Sequence, residues 1–450
     1  MKNTLVLGVL LSCTIGAYAA TFTASRALSS PTEVQTHFTR DSFLRRYLQE
    51  SVQVKARKNA LLTARANYQN AFVDSFLPSF SVSAGGSKTY SRPDNVHSFD
   101  EFTHFDTSAS AVGSWNVFNM GKSMLSYQDS ALTFQQAQIS FDDFIDETVL
   151  AAVDMYYHLL LRQKLLQVRQ ADLEINRKQY EQDKVLYDNG LKTRSDLLSS
   201  ETSYRSSQLS LFSAQSDYAN ALSAFNVALN QPTETEVTLE DSSEKSVPTL
   251  PSLDSDLTSA LARRHDVLEK RLELQQQDIA WRLGKLNTMP ALSVDVFAST
   301  GRGLNRHEWW NYNYGVSAGV SFDLGFLYLD KYRTRQNLWR THENAYLNFE
   351  QFLRGVRDAV VQARNALLLK TKSLEISELR LSAAVQKFEA TQTKYKNGLM
   401  SATDLTVAQQ SMVSAQIDHA TLITELETTK LRYLHAIGDP IFDYSLEELP

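Results

Sequence analysis

Hydrophobic and polar residues alternate with two different periods along this chain. Leu197, Tyr204, Leu211, Tyr218 and Phe225 recur every seventh position, and Ala214, Ala221 and Ala228 lie three residues further on. A later segment repeats the arrangement with Leu405, Met412, His419, Leu426 and Tyr433, partnered by Ala408, Ala415 and Ala436. Large residues facing small ones at period seven predict long antiparallel helices packed knobs-into-holes. From Lys122 to Asn189 there is neither glycine nor proline, and from Phe326 to Asn397 only Gly355 interrupts. Each stretch would make a helix of about 100 Å at 1.5 Å per residue, far beyond globular helices near a dozen residues.

Four segments switch to period two. Phe80, Val82 and Ala84 alternate with Ser79, Ser81 and Ser83, and Ala109, Ala111, Gly113, Trp115 and Val117 with Ser108, Ser110, Ser114 and Asn116. Leu292, Val294, Val296 and Ala298 alternate with Ser293, Asp295 and Ser299. Tyr312, Tyr314, Val316, Ala318, Val320 and Phe322 alternate with Asn313, Ser317, Ser321 and Asp323. These predict strands over about 79–90, 107–118, 291–300 and 312–323, each with one apolar and one polar face. Strands of that length span a hydrocarbon core when tilted. Tyr90, Phe105, Trp309, Trp310 and Tyr312 at one end, and Trp115, Phe118, Phe322 and Phe326 at the other, resemble the two aromatic girdles of a membrane barrel. A soluble sheet with one wet face is the competing reading.

The two periods are arranged twice. Tyr187-Asp188-Asn189-Gly190-Leu191, followed by Asp196-Leu197, returns about 208 residues later as Tyr395-Lys396-Asn397-Gly398-Leu399, followed by Asp404-Leu405. Leu77-Pro78 and Met289-Pro290 open the strand pairs, and Leu229-Asn230-Gln231-Pro232 and Ile437-Gly438-Asp439-Pro440 close the long hairpins. One order at nearly one offset means a duplicated architecture. Asn-Gly after each long helix predicts a turn. Ser195-Asp196 and Thr403-Asp404 then supply acceptors for the first amides of the returning helices. The expected organisation is a first repeat over 20–232 turning at 188–196, a Ser-, Thr-, Pro- and acid-rich connector over 233–256, a second repeat over 257–440 turning at 396–404, and a short tail over 441–450.

Composition adds a compartment. Lys2, the apolar run Leu5 to Ile15 and Ala17-Tyr18-Ala19 read as a secretory signal over residues 1–19. Cys13, the single cysteine, lies within it, so a mature chain would have no disulfide, thiolate metal site or cysteine nucleophile. A lipoprotein processing site at Leu10-Leu11-Ser12-Cys13 is the competing reading. No later run reaches the roughly 18 apolar residues of a membrane helix. The net charge of −6, with no basic stripe, argues against a nucleic-acid partner. Zinc-hydrolase, phosphate-loop, nucleophile-elbow and dinucleotide patterns are all missing, and no catalytic, cofactor-binding or metal residues emerge. His158 and His419 fall within heptad segments and read as partial core.

Open strand edges cannot sit in lipid, and four strands are too few to close a barrel. The chain must therefore oligomerise, a dimer giving eight strands and a trimer twelve.

The paired Tyr-x-Asn-Gly-Leu…Asp-Leu turns, the proline-initiated strands and the Asn-Gln-Pro and Gly-Asp-Pro helix ends resemble the TolC family of outer-membrane efflux channels, over Phe38 to Pro440. The resemblance implies a mainly α fold with a membrane β-barrel, in which duplicated helical hairpins build a periplasmic α-barrel and four strands per chain contribute to a twelve-stranded homotrimeric barrel. It implies an outer-membrane exit duct, passive and gated at its periplasmic tip, docked to a periplasmic adaptor and through it to an inner-membrane RND, ABC or MFS transporter. The adaptor-contacting turns would be Asn189, Gly190 and Leu191 with Asn397, Gly398 and Leu399. The gate positions carried over are Asp404, its first-repeat counterpart Asp196, and Tyr395. Two departures stand out: Met400 replaces an arginine of the family's type member, and Val407 replaces its second gate aspartate. Lys192 and Arg194 of the first turn are the available substitutes for that arginine. Helix capping by Asp196 and Asp404, and end-packing by Tyr187 and Tyr395, compete with gating roles. A structural or adhesive coiled-coil envelope protein without a pore is the alternative function.

Overall fold

The computed structural model describes residues 36–91, 102–241, 250–286, 289–303, 310–321, 329–397 and 399–444. The signal over 1–19 with Cys13, together with Trp309, Phe322, Asp323, Phe326 and Gly398, lies outside them.

The first repeat opens with β1 (His37–Phe38), α1 (Arg40–Glu50) and α2 (Val52–Phe76), then β2 (Ser79–Ser91) and β3 (Phe102–Phe118). The long hairpin follows as α3 (Lys122–Asp188) and α4 (Arg194–Ala228). After β4 (Thr238–Leu239), the second repeat runs α5 (Leu253–Arg263), α6 (His265–Leu286), β5 (Ala291–Gly303), β6 (Asn311–Ser321), α7 (Leu329–Lys396) and α8 (Ala402–Ile437). α3 and α7 are single helices of 67 and 68 residues. Among the described residues no helix is long and apolar enough to cross a membrane.

β2, β3, β5 and β6 form one antiparallel sheet in that order, leaving β2 and β6 as edges. The register sets the apolar positions side by side across all four strands: Val82 faces Ala111, Ala111 faces Ala298, and Ala298 faces Tyr314. A shift of one residue in any strand would send its apolar set to the other face. Val82, Tyr314 and Val316 are 83%, 81% and 71% exposed, so this face finds no cover among the described residues. Val117 departs from the expected alternation, because a bulge between Asn116 and Phe118 pairs them with consecutive residues of β5. The opposite face is polar apart from Val112 and Phe297, whose ring lies against Gly315 where a Cβ would stand 2.9 Å from it. Trp115 donates from its indole Nε1 to the Phe76 carbonyl at 3.0 Å, tying β3 to the end of α2.

The seven-residue repeats point inward. Leu405, Met412, Leu426 and Tyr433 are buried, and His419 is half-buried with its Nδ1 3.1 Å from Ser377 Oγ. The densest core lies at mid-length, where Phe38, Phe43, Tyr156 and Phe225 pack as aromatic neighbours. The segment between the repeats is built into this core. β4 pairs in parallel with β1, and buried Tyr156 donates its hydroxyl to the Glu240 carbonyl at 2.6 Å.

Candidate periplasmic gate

The hairpin tips form the same local structure twice. Gly190 has φ +72°, and Leu191 N–H reaches back to the Leu186 carbonyl at 2.9 Å, closing α3 with a left-handed glycine turn. In the second repeat Leu399 N–H donates to the Lys394 carbonyl, also at 2.9 Å. Asn189 returns its side-chain amide to the Val185 carbonyl at 2.8 Å, while Leu191 and Leu399 project 73% and 75% exposed.

The caps of the returning helices sit two residues before the expected ones. Thr193 and Ser401, rather than Ser195 and Thr403, are the N-caps, and Asp196 and Asp404 occupy the third helical position of reciprocal capping boxes. Thr193 Oγ1 donates to Asp196 Oδ2 at 2.7 Å and accepts from Asp196 N–H at 3.2 Å; Ser401 and Asp404 repeat this at 2.6 and 3.2 Å. The cap hydroxyls, then the cap amides, hold both carboxyls below their ordinary pKa. Capping is thus an observed contact for both aspartates, and neither touches the other.

Tyr395 belongs to a different constellation. Its hydroxyl donates to Asp183 Oδ1 at 2.8 Å and accepts from Gln179 Nε2 at 2.7 Å, and the Lys192 ammonium contacts both the Asp183 carboxylate and the Tyr395 hydroxyl. Asp183 has no exposed surface, and the Lys192 side chain is 17% exposed. Burial works against the charge on Lys192, but its bonds to Asp183 and Tyr395 leave its pKa above the ordinary lysine value. Burial also raises the Tyr395 phenol. The group joins three elements: Gln179 and Asp183 from α3, Lys192 from the first-repeat turn, and Tyr395 from the end of α7. Arg194 and Tyr187 lie outside it, and Met400 sits half-buried in the second turn.

Sequence reasoning anticipated Tyr395 and offered Lys192, but missed Asp183 and Gln179. The signal for Asp183 is spacing. Asp143, Asp154, Asp172 and Asp183 are separated by 11, 18 and 11 residues, near-whole numbers of helical turns, so they share one face of α3. Each meets the second repeat: Asp143 lies 3.9 Å from His435, Asp154 2.6 Å from Arg432, Asp172 accepts from Gln409 at 2.7 Å, and Asp183 meets Tyr395. This is a polar ladder along the junction of the two repeats. Among the described residues no three His, Cys, Asp or Glu side chains converge on a common metal position.

The sequence profile of the outer membrane efflux protein family matches residues 43–231 and 257–438, most of the chain and both repeats. The chain belongs to the outer membrane efflux protein family. Solved structures repeat the fold at low identity. The outer membrane channel CmeC of Campylobacter jejuni is 16% identical, with TM-score 0.71 over 91% of this chain and 90% of the other. The outer membrane protein VceC of Vibrio cholerae is 14% identical, with TM-score 0.71 over 90% and 97%. The open-state MtrE outer membrane channel of Neisseria gonorrhoeae is 14% identical, with TM-score 0.72 over 89% of each. No curated protein sequence matches the chain significantly. As an outer membrane efflux protein it is an exit duct of the outer membrane, with its sheet in the bilayer and its long helices in the periplasm.

Proposed function

We propose that this duct is a homotrimer, closed at its periplasmic tip by the buried contact of Asp183, Lys192, Gln179 and Tyr395. Oligomerisation follows from the two unpaired edges, β2 and β6, of a sheet whose apolar face is uncovered. Three copies close twelve strands and set three double hairpins around one pore. The observation that carries the gate is the cation: the second turn has Met400, and Lys192 of the first turn supplies the charge that holds α3 to α7. Opening the tip then requires Tyr395 to leave Asp183 and Lys192.

Asp404 and Asp196 stand at the tips as exposed and half-buried carboxylates bonded to their own caps. In a trimer they form rings that attract cations and retard anions. Leu191 and Leu399, with Asn189, Gly190 and Asn397, form the surface offered to a periplasmic adaptor, which links the duct to an inner-membrane transporter of the RND, ABC or MFS type. The duct performs no reaction of its own; energy enters through that transporter, and adaptor binding biases the tip between closed and open.

The test is single-channel recording in planar bilayers of the wild type beside Lys192→Met and Asp404→Ala. Larger conductance in Lys192→Met supports the lock, and lost cation preference in Asp404→Ala supports the ring. Unchanged selectivity in the latter leaves Asp404 as a helix cap. Failure of folded protein to insert returns the chain to the coiled-coil envelope reading.

A further inference from the structure

The opposite end of the polar ladder differs chemically from the tip. There the N-terminus of α6, the C-terminus of α8 and the middle of α3 meet around a cleft of about 670 Å³. His265 Nδ1 is 3.3 Å from Asp146 Oδ2 and 4.0 Å from Asp143 Oδ1, and His435 Nε2 is 3.9 Å from the same Asp143 oxygen. Asp142 accepts from the Tyr444 hydroxyl at 2.9 Å, bringing the segment after α8 onto α3, and Glu147 completes the acidic wall. From the second repeat, Asp266 is gripped by both ends of the Arg264 guanidinium at 2.9 and 2.6 Å, and Asp439 pairs with Arg263 at 2.9 Å. With Asp266 and Asp439 each matched by an arginine, Asp143 and Asp146 meet the second repeat through His265 and His435, Asp142 meets the segment after α8 through Tyr444, and the Arg264 charge also acts on Asp143. The joint is rigid, since Gly438 ends α8 at φ +75° with the Arg264 amide 2.7 Å from where a Cβ would stand.

We infer that this junction is a proton-operated clasp between the repeats, closed when His265 is charged against Asp146 and Asp143 and weakened when it is neutral. Histidine is the side chain whose charge ordinarily changes between about pH 5 and 8. Without that charge, α3 presents Asp143 and Asp146 to a neutral His265 ring, with the Arg264 charge left acting on Asp143. The inference rests on the duct reading in one respect: α8 and α3 run from this clasp to the tip, so loosening their root favours opening.

The pH sense follows from the pairing. The bond to Asp146, opposed by burial and aided by the charges of Asp142 and Asp143, lifts the pKa of His265 above its ordinary value. Its contribution is complete below the unfolded histidine pKa near 6.5 and is lost as pH rises through the raised folded value. The contact with His435 lowers Asp143, whose contribution is present above the ordinary carboxylate pKa and fades only in stronger acid. The clasp is therefore tightest in mild acid and opens toward the alkaline side.

Thermal unfolding of the full chain in detergent from pH 5.5 to 8.5 tests the clasp, and bilayer currents over the same range test its link to the gate. Wild type is expected to lose about 3 °C in Tm across the range relative to His265→Gln/His435→Gln, which stays at the low value throughout. His265→Lys, charged at every pH, should stay at the high value and show that the cation rather than the imidazole closes the joint. Wild-type current should rise with pH and the glutamine variant's should not. Identical Tm profiles for wild type and the glutamine variant would overturn the clasp. A titrating Tm with a pH-independent current difference would keep the clasp and overturn its link to the gate. Absence of current under all conditions would sink the duct reading, leaving the melting profiles to judge the clasp.

Discussion

The Asp183 carboxylate is fully buried, and the Lys192 ammonium beside it is its countercharge. Removing one member of a buried pair leaves the other desolvated without compensation, a loss of about 3–5 kcal/mol. Lys192→Met is therefore expected to destabilise the tip strongly, whereas Tyr395→Phe removes hydrogen bonds worth about 1 kcal/mol each. Protease susceptibility at the tip should rise in the order wild type, Tyr395→Phe, Lys192→Met. The lock is also insensitive to pH across the physiological range. Lys192 and Tyr395 both have pKa values above their ordinary ones, so the lysine charge is lost only as pH rises beyond the usual lysine value. Tyr395→Phe channels should conduct more than wild type by the same factor at pH 6 and pH 8. Tyr395 entered as a candidate through the family resemblance, which matches it by its position three residues before the second turn glycine. Asp183 was not legible, since a carboxylate four residues before a tyrosine looks like any exposed helix position until the facing helix is in place.

Element boundaries follow local chemistry closely here. Proline opens the strands, Gly190 and Gly438 end helices in left-handed conformations, and hydroxyl caps begin the returning ones. What periodicity could not show was which hydroxyl caps. Thr193 and Ser195 are both eligible, and the choice falls to Thr193 because the reciprocal partner must lie three residues on, at Asp196. The Val117 bulge was hidden for a similar reason, since alternation in one strand says nothing of a partner that fails to match it. Gly438 makes the sharpest test at this scale. A side chain there meets both an unfavourable backbone conformation and the fixed Arg264 amide, neither of which can move aside. Gly438→Ala should cost about 3 kcal/mol, with Tm reduced in detergent melts. Gly190→Ala, with open space around its Cβ position, should cost about 1–2 kcal/mol.

For the whole molecule, the fold class could be read because two periods alternated twice in one order. Assembly needed one further step, from strand count and unpaired edges to closure between chains. Native mass spectrometry of detergent-released protein should give a mass three times that of the processed chain. A stable monomer would refute the closed barrel. The connector between repeats was the least legible large segment, because its polar composition resembles a loop while its backbone pairs with β1 and accepts from Tyr156.

The spacing of the α3 carboxylates also constrains how such a duct can change in length. The ladder stays in phase only if residues are added in near-whole numbers of turns, and its rungs have their partners on α8, antiparallel to α3, except Asp183, whose partner Tyr395 is on the parallel α7. A chain adapted to a deeper periplasm must therefore extend α3, α4, α7 and α8 together, in steps of 7 or 11 residues, about 10 or 16 Å each. Lengths between those steps would leave Asp154 and Asp172 facing solvent, so the reach of the tube is set in increments.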